Sequence, residues 1–174
     1  MKSVMISIKP KWCELIASGK KTVEVRKSRP KIETPFKCYI YCTKGRLALL
    51  SDNKDAEEPY KYDIWEHADF HENCGKTVFG GKVIGEFVCN HIDEITIVNT
   101  AVMEYICVNG KANMTITSDT CLDIDALSKY ADGKQLYGWH ISDLVIYDEP
   151  KKLSEFRKPL NCHRGIQNDN CVGC

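Results

Sequence analysis

Apolar and polar residues alternate in short runs along this chain, and no apolar stretch approaches the roughly 18 residues of a membrane-spanning helix. In KTVEVR (21–26), Val23 and Val25 fall on one face and Thr22, Glu24 and Arg26 on the other; in KCYIYCT (37–43), Cys38, Ile40 and Cys42 share a face. A period of two marks strands half-buried in a sheet. VMISIK (4–9), VIGEFVC (83–89), ITIV (95–98), VMEYICV (102–108), MTIT (114–117), YGWHI (137–141) and LVIYD (144–148) also read as β-rich pieces, with Asn109-Gly110 as a hairpin turn and Pro150 breaking the pattern after the last. Two segments differ. Pro10 opens a short helix whose stripe is Trp12, Leu15 and Ile16 and whose stop is Gly19, and DIDALSKYA (123–131) is a second helix ended before Gly133. Short strands with two main helices predict an α+β domain built on a small β-barrel with flanking helices.

At 174 residues, 43% hydrophobic and 28% charged, the chain has the size and composition of one ordinary globular core. MKSVMISIKPKW carries no signal-peptide core, so the expected location is the cytoplasm, with no membrane association. The expected layout is a domain over 1–158, interrupted by an acidic insertion at about 50–81 that reads as a long loop with a helical turn near Ile64–Phe70, and then a Cys-rich tail over 159–174. Cys38, Cys42, Cys89 and Cys107 sit in apolar runs and are expected as buried, reduced thiols.

Twenty-four basic and 24 acidic residues balance overall, but their distribution is uneven. Residues 1–46 carry a net charge of +9, residues 51–75 a net −6, and the remainder −3. The N-terminal part thus has the charge to meet phosphate, while the acidic segment loops away or covers it; solvated charge on separate faces is an equal alternative.

SGKKT (18–22) fails as a phosphate-binding P-loop, because Glu14 stands where the first glycine is required and Lys21 where Ser or Thr is required. The glycine also closes a helix and opens a strand, the reverse of P-loop order. What stands there is Gly19-x-Lys21-x-x-Glu24-x-Arg26. Glu24 and Arg26, two apart on a strand, lie about 7 Å apart on one side of a sheet, and Lys21 enters from the turn. Arg26 offers a planar fork for phosphate or a base edge, Lys21 a point charge, and Glu24 an acceptor for an exocyclic amine or a general base. The alternative is an exposed salt bridge of Glu24 with Arg26 or Lys21, worth at most about 1 kcal/mol.

Together with SIKPKW (7–12), the G-x-K-x-x-E-x-R pattern resembles the ASCH domain, a branch of the PUA-like superfamily. The resemblance covers residues 3–49 and 82–156, since YGWHISDLVIYDEPKKLSEF (137–156) is similar to the closing section of bacterial and phage ASCH proteins. It implies that the motif lines a cleft and that the partner is RNA or a modified nucleotide. It also implies a rival activity, because small bacterial members of the group are amidohydrolases acting on acetylated cytidine with a Lys-Thr-Glu set. Lys21 matches the lysine of that set, but Glu24 occupies the position of the threonine nucleophile, and no residue matches its glutamate securely. In an enzyme Lys21 and Glu24 would be the catalytic pair, with Thr22 as a shifted nucleophile; a third reading is a protein-interaction module using the acidic segment and the tail.

Further ligand contacts are expected from Lys9 at the end of the first strand, from Tyr39 and Tyr41 as stacking platforms between Lys37 and Lys44, and from Trp139 and His140 near the closing strand. Packing in the core or against the insertion is the alternative for each aromatic residue. Cys162, His163, Cys171 and Cys174 form a possible zinc set in the tail, although adjacent Cys162 and His163 are spaced unusually for one ion; an oxidisable tail is the alternative. His67, His71 and Cys74 make a weaker second set.

Overall fold

The computed structural model describes residues 1–45, 48–51, 63–65 and 77–156. Strand β1 (Ser3–Ile8) leads into helix α1 (Pro10–Ala17), followed by β2 (Val23–Arg26) and β3 (Phe36–Cys42). Three short strands, β4 (Ala48–Ser51), β5 (Asp63–Trp65) and β6 (Thr77–Val78), come next, then β7 (Lys82–Cys89), β8 (Ile92–Asn99), β9 (Glu104–Val108) and β10 (Lys111–Ala112). Helices α2 (Ile116–Thr120) and α3 (Ile124–Ala131) precede β11 (Leu136–His140) and β12 (Ser142–Lys152).

The strands form a four-stranded sheet in the order β1-β3-β7-β12, a five-stranded sheet in the order β10-β9-β8-β11-β2, and a three-stranded sheet β5-β4-β6. The expected α+β class holds, but among the described residues no ladder joins the two larger sheets into a closed barrel. Edge strand β1 of one and edge strand β2 of the other face each other across a gap, bridged where the Arg26 Nη1 donates to the Ser7 carbonyl at 3.1 Å. A barrel would have sealed that gap with a ladder; here it becomes a cleft.

The sequence alternation has a direct counterpart in packing. Phe36, Cys38, Ile40 and Cys42 on β3 are wholly buried and join Ile6, Ile8, Ile84 and Phe87 in one core, to which α1 adds Cys13 and Ile16. A second core fills the far face of the five-stranded sheet, where Val23, Val25, Ile95 and Ile106 meet Ile116 of α2 and Leu127 and Ala131 of α3. Successive β2 residues point to opposite faces, so Val23 and Val25 enter this second core while Glu24 turns toward the first. Cys89 is buried as expected, but Cys107 is only half-buried, because Ile106 and Val108 hold the inward parity of β9. Burial raises the thiols of Cys13 and Cys38 well above their ordinary value and pushes Cys89 up to about 11, so these are packing groups rather than nucleophiles.

Three local expectations need correction. MTIT (114–117) is not a strand: its C-terminal half opens α2. The Asn113 Oδ1 accepts from the Thr115 amide at 2.9 Å and from its hydroxyl at 2.7 Å, while the Thr117 and Thr120 hydroxyls donate to the carbonyls of Met114 and Ile116, both at 2.7 Å. These local bonds favour a turn over the β propensity of Thr and Ile. Ile64 and Trp65 belong to β5 rather than to a helical turn, since β5 pairs with β4; residues 66–70, and most of the acidic segment, lie outside the described residues. Pro150 does not end the last strand. It falls in the register break of β12 between Ile146 and Lys151, on an edge strand where a missing amide is tolerated.

Gly85 of β7 lies tight against β12. A Cβ there would meet the Val145 carbonyl and sit 3.0 Å from Ile146 Cδ1 and 3.2 Å from Ile146 Cα. Gly85→Ala is therefore expected to lower unfolding free energy by about 1–3 kcal/mol in a urea titration, with β12 displaced; unchanged stability would show that β12 shifts freely.

Candidate functional site

The cleft between β1 and β2 is built by the turn that ends α1. Lys9 precedes the helix and its carbonyl accepts from the amides of Trp12 and Cys13, at 2.9 and 3.0 Å; Pro10 takes the first helical position, where no amide is needed. Gly19 adopts φ +70, and the Lys21 amide returns to the Leu15 carbonyl at 2.8 Å. This reversal delivers the Lys21 side chain inward, and it is the one place in the motif where a left-handed residue is required.

Lys21 is 2% exposed and Glu24 6% exposed, so the motif is not the solvated salt bridge that spacing alone allowed. Lys21 Nζ donates to the Thr120 carbonyl at 2.7 Å and lies 3.6 Å from Glu24 Oε2, while Arg26 Nη1 lies 3.6 Å from Oε1 of the same carboxylate. The Thr120 carbonyl is available because α2 ends there, with Cys121 in the left-handed region at φ 53. Cys121 Sγ, 3.3 Å from the Lys20 carbonyl, and the Thr22 amide, 2.9 Å from the Asp119 carbonyl, fasten the helix end to the motif.

Burial lowers the Lys21 ammonium from its ordinary value against the opposing pull of Glu24, and burial raises the Glu24 carboxyl against the pull of Lys21 and Arg26. Both groups are thereby drawn toward neutrality.

The cleft encloses about 500 Å³, a volume in the range of small-molecule sites. Lys9, Lys21, Glu24 and Arg26 line it, as expected. Its aromatic walls are different from those expected: Trp12 and Tyr130 line it, and Lys21 Nζ lies 5.3 Å from the Trp12 ring centroid. Trp12 is half-buried at the edge of the first core rather than within the helix's buried stripe, which is Cys13 and Ile16. Lys129, a further exposed cation, comes from α3 with Tyr130.

Four expected ligand residues lie elsewhere. Tyr39 and Tyr41 are not among the cleft's lining residues; Tyr39 packs edge-on against Phe156 at 4.9 Å, next to the Lys37–Glu86 ion pair. Trp139 is 4% exposed and meets Phe36 edge-on at 5.4 Å, so it is core, placed there because its strand position opposite Glu24 faces the first core. His140, one residue on, takes the opposite face and holds Asp93 Oδ2 at 2.7 Å. Thr22 is exposed and does not line the cleft, which removes it as a shifted nucleophile. The metal sets Cys162, His163, Cys171, Cys174 and His67, His71, Cys74 lie outside the described residues.

A family model for the ASCH domain matches residues 6–140, a span that contains the whole Gly19–Arg26 motif. The chain belongs to the ASCH domain family. Among solved structures this ASCH domain is similar to the ASCH protein of Zymomonas mobilis, with TM-score 0.52 and 19% identity over 88% of this chain and 76% of that one. A point mutant of the same bacterial protein matches with TM-score 0.51, 19% identity and the same coverage. At this identity the likeness concerns the fold. No curated protein sequence matches this ASCH domain. No helix among its described residues is long and apolar enough to cross a membrane.

Proposed function

We propose that this ASCH domain binds RNA or a modified nucleotide, one unit of which enters the cleft between β1 and β2. The observation that carries the reading is the convergence of buried Lys21 and Glu24 and half-buried Arg26 with the Trp12 ring in one open cleft of about 500 Å³. A base needs a flat apolar wall and an edge acceptor; Trp12 and Tyr130 supply the wall and Glu24 the acceptor. A phosphate needs accessible cations, and exposed Lys9 and Lys129 and half-buried Arg26 line the cleft. Phosphate contacts release counterions, so affinity falls with salt. For a short single-stranded RNA, Lys9→Ala and Arg26→Ala are expected each to weaken binding and to flatten the slope of log K against log salt by about 0.7. Binding indifferent both to salt and to Arg26→Ala would transfer the role to protein interaction.

A second reading, an amidohydrolase acting on an acylated nucleoside, draws on the lowered Lys21 ammonium beside the raised Glu24 carboxyl. Shifts in these directions ease proton transfer by the pair, as amide cleavage requires. A carboxylate in the nucleophile's place would form an anhydride rather than an ester, and this makes binding the first reading. Turnover of acetylated cytidine that is lost in Lys21→Met would favour the enzyme; no turnover favours the binding module.

A further inference from the structure

On the opposite face of the five-stranded sheet from Glu24, three residues meet that the cleft does not use. His140 on β11 stands across from His91, whose carbonyl accepts the His140 amide at 3.1 Å, and Asp93 lies two residues along β8 from His91. Their side chains converge: His91 Nε2 lies 2.7 Å from Asp93 Oδ1, and His140 Nε2 lies 2.7 Å from Asp93 Oδ2. The ligand-type atoms of the three residues all lie within 4.8 Å of one another. Gly138, the partner of Asp93 across the strands, carries no side chain, and a Cβ there would sit 2.9 Å from Val23 Cγ1.

The geometry points to a binding site for one divalent first-row transition ion of the zinc class, formed by His91 Nε2, His140 Nε2 and a carboxylate oxygen of Asp93. Tetrahedral zinc with bonds of about 2.0–2.2 Å requires ligand atoms about 3.4 Å apart, a spacing between the 2.7 Å His–Asp contacts and the 4.8 Å within which all three ligand atoms lie. Two imidazoles and one carboxylate suit zinc, cobalt or nickel better than magnesium or calcium, which prefer all-oxygen sets. A fourth position is left to water, and the site is open to solvent because His91 is exposed and His140 half-buried. The carboxylate is held from behind. Asn109 Nδ2 donates to Asp93 Oδ1 at 2.6 Å, while Asn109 Oδ1 accepts the Glu94 amide at 2.9 Å, so the amide cannot turn away. Such outer partners orient metal ligands.

The test is a calorimetric zinc titration of the full chain carrying Cys162→Ser, Cys171→Ser and Cys174→Ser, which removes the tail thiols. One equivalent is expected to bind and to raise the melting temperature. His91→Ala and His140→Ala are each expected to weaken zinc at least about 100-fold, and Asn109→Gly, which keeps the left-handed backbone, about 10- to 100-fold. Melting of the metal-free variants separates lost ligation from lost fold, with His140→Gln taking over if His140→Ala unfolds early. No zinc uptake by the tail-thiol variant, or a smaller loss in either histidine variant, would overturn the site. RNA binding in the cleft is read separately and does not enter this outcome.

Discussion

Lys21→Met is expected to lower the unfolding free energy by about 3 kcal/mol at neutral pH, because it leaves the Glu24 carboxylate buried without its nearest ammonium. Arg26, 3.6 Å from the other oxygen, remains and keeps the loss near the low end of the usual range. The loss should depend on pH with a definite sign. Burial already holds the Glu24 carboxyl above its ordinary value, and removing Lys21 raises it further. A group whose folded pKa exceeds its unfolded value contributes most below the unfolded pKa, about 4.3, and that contribution disappears as pH rises through the folded pKa. The deficit of Lys21→Met should therefore be small in mild acid and grow toward neutrality. Adding Glu24→Gln should remove the pH dependence. Urea titrations of the three proteins across this window check both statements, and a deficit that ignores pH would contradict the buried pair.

Trp139→Ala is expected to cost about 3–5 kcal/mol, the usual loss for emptying an aromatic site in a core. Trp139 abuts Phe36, and its indole Nε1 is buried without a hydrogen-bond partner among the described residues. Trp139→Phe sheds that unsatisfied group, worth about 1–3 kcal/mol, along with some volume, and so should cost much less. Folded Trp139→Phe should bind RNA as the parent does. A large loss of binding with little loss of stability would return Trp139 to the ligand site.

Strand parity was legible wherever one face is buried: Cys38, Ile40 and Cys42 share the core side of β3, and Val23 and Val25 that of β2. The Gly19–Arg26 motif was legible as a convergence of Lys21, Glu24 and Arg26, because a turn and a two-residue period place them without long-range information. The burial of Lys21 and Glu24 was not, since Lys21 is enclosed where α2, from nearly a hundred residues away, offers it the Thr120 carbonyl. The aromatic residues that line the cleft were not legible for the same reason. Trp139 and Tyr39 sit on strands whose covering layer a local pattern does not reveal, while Trp12 and Tyr130 reach the cleft from two different helices. One signal for Tyr130 was present: it stands four residues after Ala126 on α3, beside the buried Leu127–Ala131 stripe, and that spacing defines a second helix face. Closure into a barrel was not legible, because alternation specifies half-buried strands but not whether two edge strands pair; among the described residues no ladder joins β1 and β2.

The most direct measurement is a calorimetric titration of a short single-stranded RNA into the parent and into Trp12→Ala, Tyr130→Ala, Tyr39→Ala and Tyr41→Ala. Stacking on the cleft walls contributes about 1–3 kcal/mol per base, so Trp12→Ala and Tyr130→Ala should each weaken binding about 5- to 150-fold. Tyr39→Ala and Tyr41→Ala, outside the cleft, should bind as the parent does. RNA binding that survives loss of Trp12 and Tyr130 but fails without Tyr39 or Tyr41 would contradict the cleft as the site.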